Sequence, residues 1–264
     1  MIKQAIRDFI VKRTFAAKLR NKGMNTFSNF EILKSIRSSA ELKRTEENRP
    51  HEVMYFHKVD DPYSHLAIQY IDKLQESFDI SFQSILVGEE NADAVHEPSL
   101  YSTYCFNDAR RIAPFFGVEF SAKSYPSREL VIKSNKRLTA VDALNFAEVA
   151  KKVSSALWSG KESILDDLGR EYSSTDEEVS NKLESGNLIR NEKDYYFGSA
   201  FYYEKELYWG VDRLHHLEDR LIELGLKKDS INEPICTPTL SAPSRIESEN
   251  TVNLHYHPSL NSPY

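Results

Sequence analysis

The chain has 264 residues, 40% of them hydrophobic and 28% charged, the balance of a globular protein with material for one large core or two modest ones. A formal net charge of −6 removes the electrostatic case for nucleic acid, and no apolar run reaches the length that spans a bilayer. Cys105 and Cys236 are the two cysteines; they form no Cys-x-x-Cys, so a disulfide framework is not indicated and a reducing, cytoplasmic compartment is the expectation.

Residues 1–24 are basic. Lys3, Arg7, Lys12, Arg13, Lys18, Arg20 and Lys22 face a single acid, Asp8, and Ile2, Ala5, Ile6, Phe9 and Ile10 fall on one helical stripe. Such a helix can make peripheral contact with an anionic membrane surface. The stripe is short, which favours a helix packed on the domain with its charges in water. A continuous apolar stretch and a small-residue cleavage site are both missing, so it is not read as a signal peptide. Residues 25–50, ending in ELKRTEENRP, read as a linker with some helix.

Val53–Val59 reads as a strand. Pro62 opens a helix to about Ser77, with Leu66, Ile71 and Leu74 inward; proline at the first helical position after an aspartate is a start signal. Residues 80–87 form a second strand closed by Gly88. This β-α-β unit implies parallel pairing. A helical section follows. Residues 103–116 end at Gly117, Thr139 with Asp142 resembles a capping pair ahead of a run at helical spacing (Val141 to Leu157), and Thr175–Ser185 is stopped by Gly186. Residues 200–209, AFYYEKELYW, read as a hairpin about Glu204-Lys205. A final helix carries Leu214, Leu217, Leu221 and Leu224, with Gly225 behind it. Without the helical block, the order is that of a thioredoxin fold. Residues 227–250 are rich in proline and serine and read as a linker, and TVNLHYHPSLNSPY closes the chain.

DPYSHLA after a strand, FNDARRIAPFFG in a helical insertion and ELYWGVDRLHHLEDRL after a hairpin together resemble the DsbA-like thioredoxin-fold superfamily. The nearest branches are 2-hydroxychromene-2-carboxylate isomerase and kappa-class glutathione transferase. The resemblance covers about residues 51–226, with the insertion at about 100–190, and implies an α/β thioredoxin fold with a helical insertion. It also implies a glutathione-dependent isomerase or transferase, or a thiol oxidoreductase. In the glutathione-using members the turn reads Ser-Pro-Tyr-Ser, glutathione is the cofactor, and its thiolate lies at the N-terminus of the first helix. Free N–H groups and the helix dipole favour a thiolate there.

This chain departs from that pattern twice. Asp61 replaces the first Ser or Cys of the turn, ahead of Pro62, Tyr63 and Ser64. A carboxylate is a good cap and takes the N–H groups a thiolate needs. It also repels the thiolate, by about 4 kcal/mol for two charges roughly 4 Å apart at an effective dielectric near 20. Cap plus N1 proline is therefore the stronger reading of Asp61-Pro62, and Ser64 remains a hydrogen-bond donor. The family's cis-proline falls at Ser199, next to Ala200. A cis peptide before a non-proline residue costs roughly 3 kcal/mol, so a trans bond and a reshaped glutathione edge are expected. Asp212 matches the acid that binds the glutathione γ-glutamyl amine, and reads equally as the acid at the start of the last helix.

The tail repeats the first turn. VMYFHKVDDPYS (53–64) and VNLHYHPSLNSPY (252–264) are each a strand-like run with aromatics and a histidine, a polar turn, then Pro-Tyr. The second copy has Ser262 before its proline. The favoured expectation is a tandem protein; the alternative is a disordered tail that matches by chance over a dozen residues. The tandem protein comprises a basic helix and linker (1–50), a DsbA-like domain with a degenerate turn (51–226), a linker (227–250) and the first strand of a truncated second DsbA-like domain (251–264), with Ser262 as the catalytic counterpart of Asp61.

His215-His216, and His255 with His257, lack a third ligand at a metal spacing, and adjacent helix positions are expected to face apart. Tyr195, Tyr196, Tyr202, Tyr203 and Tyr208 read as an aromatic group packing around the hairpin, or as a platform for a small aromatic substrate. Two functions follow: a glutathione-dependent isomerase or transferase, and a non-catalytic domain whose partner is a second DsbA-like domain or another copy of the chain. The second is favoured for this chain. Thiol–disulfide exchange is disfavoured, because neither turn carries a thiol.

Overall fold

A computed structural model describes residues 18–19, 21–24, 29–89, 95, 97–228 and 233–239. The chain divides into two compact units, Met1–Arg49 with Ser241–Tyr264, and Pro50–Leu240. In the first unit, α1 (Phe30–Glu46) fills most of the stretch read as linker. Asn29 caps it by accepting from the Glu31 N–H at 2.9 Å, and Lys43 and Arg44 sit in its last turn, where cations meet the negative end of the dipole. The stripe of Ile2, Ala5, Ile6, Phe9 and Ile10 lies outside the described residues. No described helix is long and apolar enough to cross a membrane.

The second unit is built on a four-stranded sheet. Its strands are β1 (Glu52–His57), β2 (Ser81–Leu86), β3 (Ala200–Tyr203) and β4 (Glu206–Trp209), in the order β2-β1-β3-β4. β1 and β2 pair in parallel from Glu52↔Ser81 to His57↔Leu86. Between them run α2 (Pro62–Ala67), a 3-10 turn (Ile68–Tyr70) and α3 (Ile71–Ser77), so the expected single helix is broken near its middle. β3 pairs antiparallel with β1, and β3–β4 is a hairpin whose turn residues Glu204 and Lys205 both have positive φ, the geometry a right-twisted two-residue hairpin needs. The sheet is buried on both faces. Val53, Tyr55, Phe201 and Tyr203 join the main core with Leu66, Ile71, Leu74, Leu214 and Leu217. Phe56, Ile85, Val87 and Ala200 form a second cluster on the other face. Each fully buried side chain of this size contributes roughly 1.5–3 kcal/mol.

The insertion between β2 and β3 holds α4 (Pro98–Ile112), a 3-10 turn (Ala113–Phe116), α5 (Arg128–Thr139), α6 (Phe146–Trp158), α7 (Glu162–Leu168) and α8 (Asp176–Glu192). Two expectations need correction, and one helix was not foreseen. Thr139 ends a helix and does not cap one; Asp142 instead accepts from Leu144 N and Asn145 N ahead of α6. α5 was not expected; Leu130, Val131 and Leu138 face the core, with the polar Ser134 buried among them. Gly186 does not stop α8. A Cβ there would lie 1.9 Å from the Leu86 carbonyl oxygen, so glycine lets the helix lie directly on β2. After the hairpin, a 3-10 turn (Val211–Arg213) leads into α9 (Leu214–Glu223). Within the stretch read as linker, residues 233–239 return to the domain, where Cys236 is fully buried. Cys105 and Cys236 are both free thiols.

Candidate functional site

Strand β1 delivers the chain to the start of α2, at the edge where the insertion packs on the sheet. Asp61 adopts an extended backbone and caps α2. Its Oδ1 accepts from the Tyr63 N–H at 3.2 Å and its Oδ2 from the Ser64 N–H at 3.0 Å. The Ser64 hydroxyl donates to the same Oδ2 at 2.8 Å and accepts from the Lys58 N–H at 3.2 Å. The His65 N–H bonds the Asp61 carbonyl, and Pro62 has no N–H to offer. Every backbone donor of the first turn is thus taken by Asp61 itself. Ser64 is fully buried and Tyr63 nearly so.

Gly198 lies against this turn. A Cβ on it would sit 2.7 Å from Lys58 Cβ and 3.0 Å from both Asp61 Oδ2 and Ser64 Oγ. Ser199 follows with φ at 54°, a left-handed conformation uncommon for a residue with a Cβ. It is fully buried, and its hydroxyl has no hydrogen-bond partner. The described peptide bonds are all trans, that of Ser199 included. Ala200 opens β3 opposite Phe56 and Trp209. Asp61, Pro62, Tyr63, Ser64, Ser199 and Ala200 therefore share one corner of the domain. Ser262 lies outside the described residues.

Two histidines are buried beneath the turn. The Tyr55 hydroxyl donates to the Ser64 carbonyl at 3.1 Å and lies 3.0 Å from His57 Nδ1. His65 Nδ1 lies 2.9 Å from Ser154 Oγ. Desolvation, then the proximity of His65, holds His57 down at a pKa of about 3. Desolvation brings His65 to about 4, against a backbone bond at Glu119 that works the other way. Both rings are neutral near pH 7.

Two clefts flank the turn. One, of about 350 Å³, is lined by Tyr63, Tyr104, Asp108, Trp209, Asp212 and Arg213, among others. The Tyr63 hydroxyl donates to Asp108 Oδ2 at 2.8 Å; burial first, then this bond, pushes the phenol far above its usual range. Trp209 meets Tyr63 edge-on at 5.9 Å and stacks on Phe197 at 5.1 Å, and Tyr101 also stacks on Phe197, at 5.7 Å. Asp212 is exposed and pairs with Arg213 at 3.2 Å. The other cleft, of about 450 Å³, includes Lys58, Asp60, Asp61, Tyr101, Cys105 and Tyr125 in its walls, and Lys58 pairs with Asp60 there at 3.2 Å.

Chemically, this corner offers carboxylates and aromatic walls. The Ser64 and Tyr63 hydroxyls both donate into carboxylates, and that of Ser199 is buried without a partner. The expected aromatic group does not assemble as one surface. Tyr203 and Tyr208 enter the main core, whereas Tyr195 and Tyr202 pack on the opposite face. The residues that do line up, Tyr101, Phe197, Trp209 and Tyr63, come from distant segments with no shared pattern in the sequence. Asp108 sits inside the quoted FNDARR stretch, yet no spacing rule marked it. The ring centroids of His215 and His216 lie 3.9 Å apart with the planes tilted, contrary to the expectation that the two face apart. No group of three metal-ligating side chains occurs among the described residues, and His255 and His257 lie outside them.

No family model matches the chain, and no curated protein matches it. Among solved structures, it is similar to a 2-hydroxychromene-2-carboxylate isomerase, with a TM-score of 0.50 and 19% sequence identity over 66% of this chain and 96% of that one. At this identity the likeness is one of fold: an α/β thioredoxin fold with a helical insertion, of the DsbA-like kind.

Proposed function

We propose that residues 50–240 are a DsbA-like domain of the 2-hydroxychromene-2-carboxylate isomerase type that performs no thiolate chemistry at its first helix and serves as a non-catalytic partner domain. One observation carries this reading: Asp61 accepts from Tyr63 N, Ser64 N and the Ser64 hydroxyl. Glutathione bound as in the family would set its sulfur where those donors point, and here a fixed negative charge already holds them. The residues present do not fit the cofactor's thiolate. Ser199 in place of the cis-proline supports the same reading, because the backbone edge that would grip the tripeptide has a left-handed residue in it. The partner would be a domain of the same fold that keeps serine at the turn, the role assigned to Ser262, or a second copy of this chain.

A glutathione-dependent isomerase or transferase is the alternative. Asp212 favours it, since this carboxylate lines the same cleft as Tyr63, at the place where the resemblance puts the γ-glutamyl amine contact. Calorimetric titration separates the two. The partner-domain reading expects no glutathione binding at millimolar concentration by the unaltered chain, and binding at that level would remove it.

A further inference from the structure

Residues 233–239 cross the domain surface without helix or ladder hydrogen bonds. The side chain of Glu218, on α9, holds them: its two oxygens accept from the Ile235 and Cys236 N–H groups, each at 2.8 Å. Glu218 is 2% exposed, and these two are its hydrogen bonds. A buried carboxylate satisfied only by amide donors depends on keeping them, because leaving it bare and dry is costly. The Thr239 N–H bonds the Phe115 carbonyl at 2.7 Å, which ties the other end of the segment to the 3-10 turn after α4.

The patch beneath is contiguous. Tyr70 and Cys236 belong to the same buried cluster, and Glu218 holds the Cys236 N–H. The Tyr70 hydroxyl donates to the Phe116 carbonyl at 2.5 Å, one residue beyond the anchor of Thr239. Tyr70 ends the 3-10 turn that separates α2 from α3, so the strap rests on the break in the helix that carries Asp61.

We propose that residues 233–239 are a detachable strap latched by Glu218, which opens as a unit while the rest of the domain stays folded and uncovers Tyr70 and the Cys236 thiol. A segment with few backbone bonds, held by the Glu218 carboxylate, the Thr239 N–H and the buried Cys236 side chain, is the kind of element that opens locally. Two charge-assisted bonds set how rarely it does so. The device is independent of what the turn at Asp61 does.

Native-state hydrogen exchange on the unaltered chain is the first test. The Ile235 and Cys236 amides should exchange together, at least ~100-fold faster than those of Tyr55 and Phe56 in β1, and with little dependence on denaturant. In Glu218→Ala, a thiol reagent should label Cys236, located by peptide mapping, at least ~30-fold faster than in the unaltered chain, consistent with the loss of two charge-assisted bonds. Exchange of the strap amides at the rate and denaturant dependence of β1 would overturn the proposal. So would labelling of Cys236 in Glu218→Ala within about threefold of the unaltered chain. Should Glu218→Ala fail to fold, exchange in the unaltered chain decides alone.

Discussion

Two helix starts meet at the candidate site, and they are finished in opposite ways. α2 begins with Asp61 folded back on its own first turn, all its backbone donors taken and Gly198 pressed against it. α9 begins through a 3-10 turn with no side-chain cap, and leaves Asp212 and Arg213 exposed on the rim of a cleft. In a thioredoxin fold the first of these starts is where an anion is stabilised. Here it is sealed from within, and what this corner presents to the neighbouring cleft is the side chains of Asp108, Trp209, Asp212 and Arg213 and not the backbone donors of α2.

Acid should break the sealed side first. His57 and His65 have folded-state pKa values of about 3 and about 4, below the ordinary value of 6.5. Below pH 6.5 the unfolded chain binds more protons than the folded one, so the stability these rings contribute is present above 6.5 and is lost as pH falls toward their folded values. Each costs about 1.4 kcal/mol per pH unit in that window, so moving from pH 7.5 to 4.5 should remove about 5 kcal/mol from the pair. Urea unfolding at the two pH values measures this. A midpoint unchanged across the window would show that these histidines are not buried in neutral form.

Smaller perturbations sharpen the contrast. Gly198→Ala drives a methyl group against Lys58, Asp61 and Ser64 and should cost about 1–3 kcal/mol by thermal unfolding. Asp61→Ala removes the cap and leaves the Ser64 hydroxyl without its acceptor, a loss of about 1–2 kcal/mol. The same substitution at Asp212, an exposed carboxylate beside Arg213, should cost no more than about 0.5 kcal/mol. Equal losses at the two sites would mean that the two helix starts are not built differently.

Much of the sealed side was legible because it is local. A capping aspartate, an N1 proline and a strand before them lie within a dozen residues, and the hairpin announced itself as two short strand-like runs about Glu204-Lys205. What escaped is non-local. Nothing in the sequence says that Gly198 lies against Asp61, that the Tyr63 hydroxyl reaches Asp108, or that Phe197 stacks with both Tyr101 and Trp209. α5 escaped for a different reason: it lies among other helices with few apolar anchors, and Arg137, bonded to the Leu165 carbonyl at 2.9 Å, fastens it by a polar contact that hydrophobic periodicity does not register. Gly186 was misread because a glycine that permits close approach of a helix to a strand looks, in sequence, like one that ends the helix.

The most direct measurement is ultraviolet difference absorbance near 240 nm, where a thiolate absorbs, on mixing reduced glutathione with the unaltered chain near neutral pH. If the carboxylate of Asp61 occupies the donors of α2, the difference spectrum stays flat to millimolar tripeptide. A saturating thiolate signal that disappears in Asp212→Ala would mean that the helix start still ionises sulfur, and would contradict the account.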